Sequence, residues 1–291
     1  MLTLIEYCGF ELLYGIVNLL PMDWLSGAGK FLGRVYYFLS SSRREIAVQN
    51  LLSAFPEKGT EEINAITKKV FENVGITFTE FLWTKNFSRE KISKIVELEN
   101  VAELQILVEQ NQGAVFVSGH LGNWELTAIA IGVHLNTSLC AIVKTQHNIR
   151  VDKKISELRC YFGNRAVSME RAIRESISEL QNGGIVALLS DQSAPKESVY
   201  VNFFGRNVAT FQGPTAFALK TKKPLIAVYG LRNESGDYKI SWEKIGFDDL
   251  SNYNNDNIAT LTQRQTDLLE QVIRKHPEQW LWLHRRWKHV Q

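Results

Sequence analysis

His120 and Glu125 stand five positions apart in SGHLGNWEL, residues 118–126, a stretch rich in glycine between two apolar segments. An imidazole beside a carboxylate is the minimum apparatus of a general base with an orienting partner. The flanking residues give that pair a place. Residues 114–117 (AVFV) are a short apolar run that suits a buried strand, and residues 126–133 (LTAIAIGV) read as a buried helix. Asn123 suits the N-cap of that helix, and Glu125 then falls in its first turn, where the helix dipole favours a carboxylate. Gly119 and Gly122 allow close approach of backbone to ligand, and the amides of Gly122 and Asn123 are candidates for holding an oxyanion. A lone His near a Glu is also common in chains that do no chemistry, and the pair alone specifies no reaction.

The elements around this loop point to one fold class. From Gly113 onward, apolar strand candidates recur at 114–118, 139–143, 185–189, 199–203, 225–230 and 238–242. Helical patterns separate several of them, at 124–133, 152–162, 169–182 and 211–221, and a long helix covers 258–276. This alternation predicts an α/β domain over residues 101–291, with a mostly parallel mixed sheet flanked by helices. Residues 1–100 read as a helical N-terminal region, with patterns at 44–54 and 60–84 and a helix start at Ser88. Ligand sites in open α/β sheets collect at the carboxyl ends of strands. His120, Lys144 and the pair Asp191–Gln192 each follow a strand candidate, so three strand ends bring polar groups toward one cleft. Singly, Asp191 reads equally as a turn or cap residue, and Lys144 as a solvated charge.

Composition sets limits. A chain of 291 residues with 45% hydrophobic content can bury a large core, and a net charge of +2 gives no global drive toward polyanions. Cys8, Cys140 and Cys160 follow no metal or redox spacing, which points to a reducing compartment and no metal site. Residues 2–20 are mostly apolar but contain Glu6 and Glu11. An acid at mid-span costs about 2.5–3.5 kcal/mol, against about 0.3–0.6 returned by each large apolar residue. A helix lying in the membrane interface is therefore expected rather than a span, with an ordinary core helix as the alternative. Lys30, Arg34, Arg43 and Arg44 follow it and suit an anionic leaflet.

With these residues in view, the chain resembles a known family. The His-x-x-x-x-Glu element after a strand is similar to the motif of lysophospholipid and glycerolipid acyltransferases. More narrowly, the chain resembles the late lauroyl and myristoyl acyltransferases of lipid A biosynthesis. The stretches that carry this are RREIAVQNLLSAFPE (43–57), KTQHNIRVDKKISELR (144–159), LLSDQSAPKESVYVNFFGRNVATFQGPTAFALKTKKPL (188–225) and HPEQWLWLHRRWK (276–288). One departure is Val143–Lys144, where the family often has Tyr-Arg.

The resemblance implies O-acyl transfer from a thioester, on acyl carrier protein or coenzyme A, to a hydroxyl of a lipid A-type glycolipid precursor. It implies His120 as the base, Glu125 as its partner, and Asp191 and Gln192 near the acceptor. Gly213 matches a family turn, and Arg285 a recurrent family arginine. Lys144, Arg150 and Arg159 belong to a basic run expected to bind an anionic substrate; a solvated helix face is the alternative. No cofactor and no nucleic-acid partner is expected. The expected location is the cytoplasmic face of the bacterial inner membrane. Another acceptor lipid, thioester hydrolysis, and a non-catalytic membrane-binding protein on the same scaffold remain open at this point.

Overall fold

A computed structural model describes residues 2–291; Met1, the first residue of the expected helical region, lies outside them. The chain is α/β, with a seven-stranded mixed sheet flanked by helices and preceded by a helical region. Its central strand, β2 (Ala114–Ser118), runs parallel to β8 (Leu225–Arg232) on one side and β5 (Ile185–Leu189) on the other. Beyond β5 the parallel run continues through β3 (Leu139–Val143) to β4 (Arg165–Ser168). On the other side β9 (Tyr238–Ile245) pairs antiparallel with β8, and β1 (Val96–Leu98) pairs parallel with β9. Residues 114–117 of β2 are buried on both faces, which is why they read as a continuous apolar run.

Five of the six expected strands take their places in this sheet. The sixth, β6 (Val199–Phe203), instead forms a separate antiparallel hairpin with β7 (Arg206–Thr210), turned by Phe204 and Gly205 at positive φ. Strands β1, β4 and β7 were not expected from the pattern. The first two are three and four residues long and lie at the sheet edges, too short to show a period.

Four helices precede the sheet: α1 (Leu2–Asn18), α2 (Met22–Leu39), α3 (Ser41–Ala54) and α4 (Thr60–Leu82). A short α5 (Arg89–Ile95) follows, its start capped by the Ser88 hydroxyl accepting from the Lys91 amide. Helix α4 buries Ile63, Thr67, Val70 and Phe71 at helical spacing. Helices α2 and α4 meet through glycines: a Cβ on Gly75 would stand 2.1 Å from the Gly29 carbonyl oxygen. The sheet is covered by α6 (Val101–Glu109), α7 (Trp124–His134), α8 (Ile149–Cys160), α9 (Ala172–Gln181), α10 (Gly213–Thr221) and α11 (Asn255–Lys275).

Among the described residues, no helix is long and apolar enough to cross a membrane. The acidic residues of α1 face α8 instead. Glu6 accepts from His147 at 3.0 Å and Glu11 pairs with Lys154 at 3.6 Å, while Asn148 donates to the Thr3 carbonyl at 2.8 Å. Elsewhere α1 is apolar and exposed at Leu4, Ile5, Leu12 and Ile16, and on α2 the most exposed apolar residues are Trp24, Phe31, Phe38 and Leu39.

Candidate active site

His120 follows the carboxyl end of β2 and Asp191 that of the neighbouring β5, so parallel pairing of these strands brings the two loops together. The His120 Nδ1 lies 2.7 Å from Asp191 Oδ1, and the His120 backbone amide donates to Asp191 Oδ2 at 2.7 Å. Trp280 Nε1 donates to the same Oδ2 at 2.7 Å. The Asp191 side chain is 2% exposed and that of His120 19%. Burial opposes ionisation of Asp191. The facing imidazole, the two hydrogen bonds from His120 and the one from Trp280 outweigh it and hold the carboxyl below its usual range. An ionised carboxylate only accepts, so Nδ1 carries the proton and Nε2 is left as the basic nitrogen. The amide nitrogen of Gln192 lies 3.4 Å from that Nε2.

This corrects the expected pairing. Glu125 is not the partner of His120. It opens α7 as expected, but its carboxylate is held by Arg159 of α8, which donates through Nε at 2.9 Å and Nη2 at 2.5 Å. The physical reason is direction: the first turn of α7 points Glu125 toward α8, whereas β5, paired with β2, ends against the His120 loop. Ring packing of Trp124 on His120, with centroids 5.0 Å apart, occupies the α7 side of the imidazole.

The loop between His120 and α7 is braced from below. Asn123 is the N-cap, accepting from the Leu126 amide at 3.0 Å, and its side-chain amide donates to buried Glu80 of α4 at 2.8 Å. Glu80 also accepts from the Tyr238 hydroxyl at 2.6 Å and pairs with Arg232. Gly122 takes φ +52°, and a Cβ there would lie 2.1 Å from the Gly230 carbonyl oxygen, so only glycine fits. Its amide donates to the Gln279 carbonyl at 2.9 Å. That bond occupies one of the two amides expected to hold an oxyanion, a second correction; the other belongs to Asn123, at the N-cap of α7. In place of the Gly122 amide, the amides of Trp124 and Glu125 open the first turn of α7, where backbone N–H groups have no partner within the helix.

Two spaces are lined by neighbours of the dyad in the chain, Ser118 and Trp124 in one and Ser193 in the other. A slender apolar slot of about 90 Å³ is lined by Ser118, Trp124, Ala128, Ile142, Leu188 and the Glu125–Arg159 pair. A wider polar cleft of about 640 Å³ runs between α3 and residues 284–289 and includes Arg285. Lys144 and Arg150 are exposed at the start of the α8 segment, with the Arg150 guanidinium 5.8 Å from the Tyr7 ring centre. Gly213 opens α10 against Leu188 and makes no hydrogen bond to the dyad. Among the described residues there is no cluster of His, Cys, Asp and Glu that could hold a metal.

From the sequence, Trp280 reads only as one of the tryptophans interleaved with the terminal basic residues, suiting a membrane-interface belt or the core, and Glu80 does not stand out. No spacing links either to residue 120 or 191; the only signal for Trp280 was a polar N–H on a large aromatic, which needs a partner when buried.

The comparisons with known proteins place the chain in a family. The family model for bacterial lipid A biosynthesis acyltransferases matches residues 4–289. The lipid A biosynthesis lauroyltransferase of Escherichia coli (strain K12) is 24% identical over 289 residues, covering 98% of this chain and 91% of that protein. The palmitoleoyltransferase of the same organism is 24% identical, covering 92% and 86%, and its myristoyltransferase 22% identical, covering 89% and 78%. With a match running nearly end to end over a fold of the expected class, this chain is an acyltransferase and belongs to the bacterial lipid A biosynthesis acyltransferase family.

Proposed function

We propose that this enzyme moves a fatty acyl chain from a thioester to a hydroxyl of a lipid A-type glycolipid, with His120 and Asp191 as its catalytic pair. The observation that carries this is the buried Asp191 carboxylate against His120 Nδ1, which leaves Nε2 as the basic nitrogen, with the Gln192 amide 3.4 Å away and Trp124, which packs on the ring, lining an apolar slot. A hydroxyl is a poor nucleophile at neutral pH, so Nε2 takes its proton as the oxygen attacks the thioester carbonyl carbon. Asp191 stabilises the imidazolium that forms. The carbonyl oxygen becomes an oxyanion, held by the amides that open α7, each such donor being worth about 3–4 kcal/mol. Collapse breaks the C–S bond, and the leaving thiolate receives the proton from His120. No enzyme acyl intermediate is required. Glu125 and Arg159 act as positioning residues that tie α7 to α8 at the mouth of the slot, which takes the donor's acyl chain.

The donor is carried by acyl carrier protein or coenzyme A. Exposed Lys144, Arg150 and Lys153 suit an anionic carrier; Lys144 and Lys153 have no ion-pair partner among the described residues. The exposed apolar faces of α1 and α2 suit the surface of a membrane, on the cytoplasmic face of the bacterial inner membrane where thioesters are found. Lipid mass spectrometry of purified enzyme with an acyl thioester and a lipid A precursor tests the reading. A gain of one acyl chain that disappears in His120→Ala is the expected result. No gain with any glycolipid acceptor, alongside transfer to a lysophospholipid, would replace the acceptor named here.

A further inference from the structure

Arg286 is a cation buried among neutral groups. It is 2% exposed, whereas its neighbour Arg285 lines the polar cleft. Its Nη1 donates to the Ala209 carbonyl at 2.7 Å and its Nη2 to the Thr210 hydroxyl at 2.6 Å, both on β7. Neither acceptor carries a charge, and among the described residues Nε has no hydrogen-bond partner. A charge held out of water without a counter-charge is costly, and burial pulls this guanidinium down to about 10. Neutral donors would tie the tail to the hairpin as well, so these hydrogen bonds do not account for the charge.

The contacts of Arg286 lead to the dyad. Its guanidinium carbon lies 5.0 Å from the Phe203 ring centre, Phe203 packs on Trp280 with centroids 5.7 Å apart, and Trp280 donates to Asp191. Both rings are buried, so little water screens the two charges from each other. Asp191 is the charge that acts on Arg286, and it favours the guanidinium in its ionised form. Other groups around the dyad supply no fixed cation. His284 is pushed toward its neutral form by burial and, in spite of Asp191, by His120, Arg43 and Arg286. Tyr229 of β8 is kept protonated by burial and by the Asp191 carboxylate. On the α7 side Glu125 is matched by Arg159, and on α11 Glu270 is matched by Arg274. Arg206, Arg285 and Lys288, on the hairpin and the tail, are exposed to solvent.

We propose that Arg286 is the buried counter-charge of Asp191, a positioning residue that keeps the His120 imidazole in its neutral, proton-accepting form between turnovers. The proposal rests on the acyl-transfer reading of the dyad. Alone with the imidazole in a poorly solvated setting, an ionised Asp191 would draw a proton onto Nε2 and leave the base occupied. A fixed cation nearby offsets part of that pull. When the hydroxyl proton arrives during attack, Asp191 still stabilises the imidazolium through its direct contact. A charge that never touches substrate thus sets how strong a base Nε2 is.

The test follows the ring nitrogens of His120 by NMR in the full-length enzyme in detergent, the signal being assigned by its loss in His120→Ala. Wild type is compared with Arg286→Gln and Arg286→Lys. In Arg286→Gln the ring should take up its proton about one pH unit higher. The acidic limb of kcat/KM, measured with an acyl thioester and a lipid A precursor, should move with it. Arg286→Lys keeps the charge and loses the paired hydrogen bonds, so the ring should titrate near its wild-type position although the protein melts earlier. An unchanged titration in folded Arg286→Gln overturns the proposal. So does an equal shift in the glutamine and lysine variants, which would mark a role in shape alone. A ring that shifts while the rate limb stays in place would support the counter-charge and sink His120 as the base. If Arg286→Gln loses its cooperative melt, Asp191→Asn is added to it. Removing both charges of a buried pair should restore the melt, and a double variant no more stable than the single one would overturn the proposal.

Discussion

Gly119 leaves room for Asp191: a Cβ on Gly119 would stand 3.2 Å from Asp191 Oδ2 and 2.9 Å from Leu269 Cδ1. The carboxylate that receives His120 occupies the space next to this missing side chain. Gly119→Ala should therefore crowd Asp191 away from the imidazole, lowering kcat more than it lowers the melting temperature. Activity and thermal unfolding of the purified variant check this; wild-type kcat would show that Asp191 adjusts freely.

Asp191→Asn should reduce kcat/KM by about 10³-fold or more, because a neutral amide cannot stabilise the imidazolium or enforce the Nδ1–H tautomer. His120→Ala should cost a similar amount, and the double variant little more, since the two act as a unit. Single-turnover acyl transfer measures all three. Additive losses would break the pairing.

The Glu125–Arg159 contact predicts a different coupling. In a double-mutant cycle on stability, Glu125→Gln and Arg159→Gln should couple by about 1–3 kcal/mol, whereas Glu125→Gln and His120→Ala should be near additive. Denaturant unfolding of the six proteins, wild type included, decides between the two partners of Glu125.

The pH dependence has a definite sign. Trp280 is one of the donors that hold Asp191 below its usual range, so Trp280→Phe should move the acidic limb of the rate profile to higher pH. Stability follows the same direction. A carboxylate depressed in the folded state contributes stability above its unfolded value of about 3.9, and that contribution is lost as pH falls through the folded value. His284 adds to this, because burial lowers its pKa in the fold despite the nearby Asp191. Its contribution is complete above about pH 6.5 and declines as pH falls through the folded value. Melting temperature should thus decline on acidification from near pH 6.5, and His284→Gln should flatten the upper part of that decline.

Much of the fold could be read from the chain because buried parallel strands and amphipathic helices announce themselves by period. Residues 114–118, 139–143 and 185–189 match three of the sheet strands, and 124–133 falls within α7. His120 and Asp191 were both singled out, as residues following strands. Their pairing was not legible, since it depends on which strands are neighbours; β2 and β5 adjoin although β3 and β4 intervene in the chain. Glu125 drew the assignment by proximity in sequence, a poor guide once a helix turns its first residues away. The basic run was read as either a solvated face or a dock, and part of it serves neither role alone: His147 and Lys154 hold the acids of α1. Those acids face protein, which is how an otherwise apolar helix accommodates them.

The glycine contact between α2 and α4 has a mechanical consequence. A Cβ at Gly33 would stand 2.2 Å from the Phe71 carbonyl oxygen, and one at Gly29 would stand 2.5 Å from the Ile76 Cα, so backbone rests on backbone with no compressible side chains between. The next residue of α4, Thr77, donates to the Gly122 carbonyl at 2.9 Å, and about one turn on Glu80 holds Asn123. The train of rigid parts runs from the exposed aromatic side of α2 to the His120 loop without a hinge. If α2 rests on a membrane as proposed, this stack fixes the height of the imidazole above it, as a spacer block fixes a tool above a bench. Only hydroxyls presented at that height come within reach, whatever else the acceptor carries.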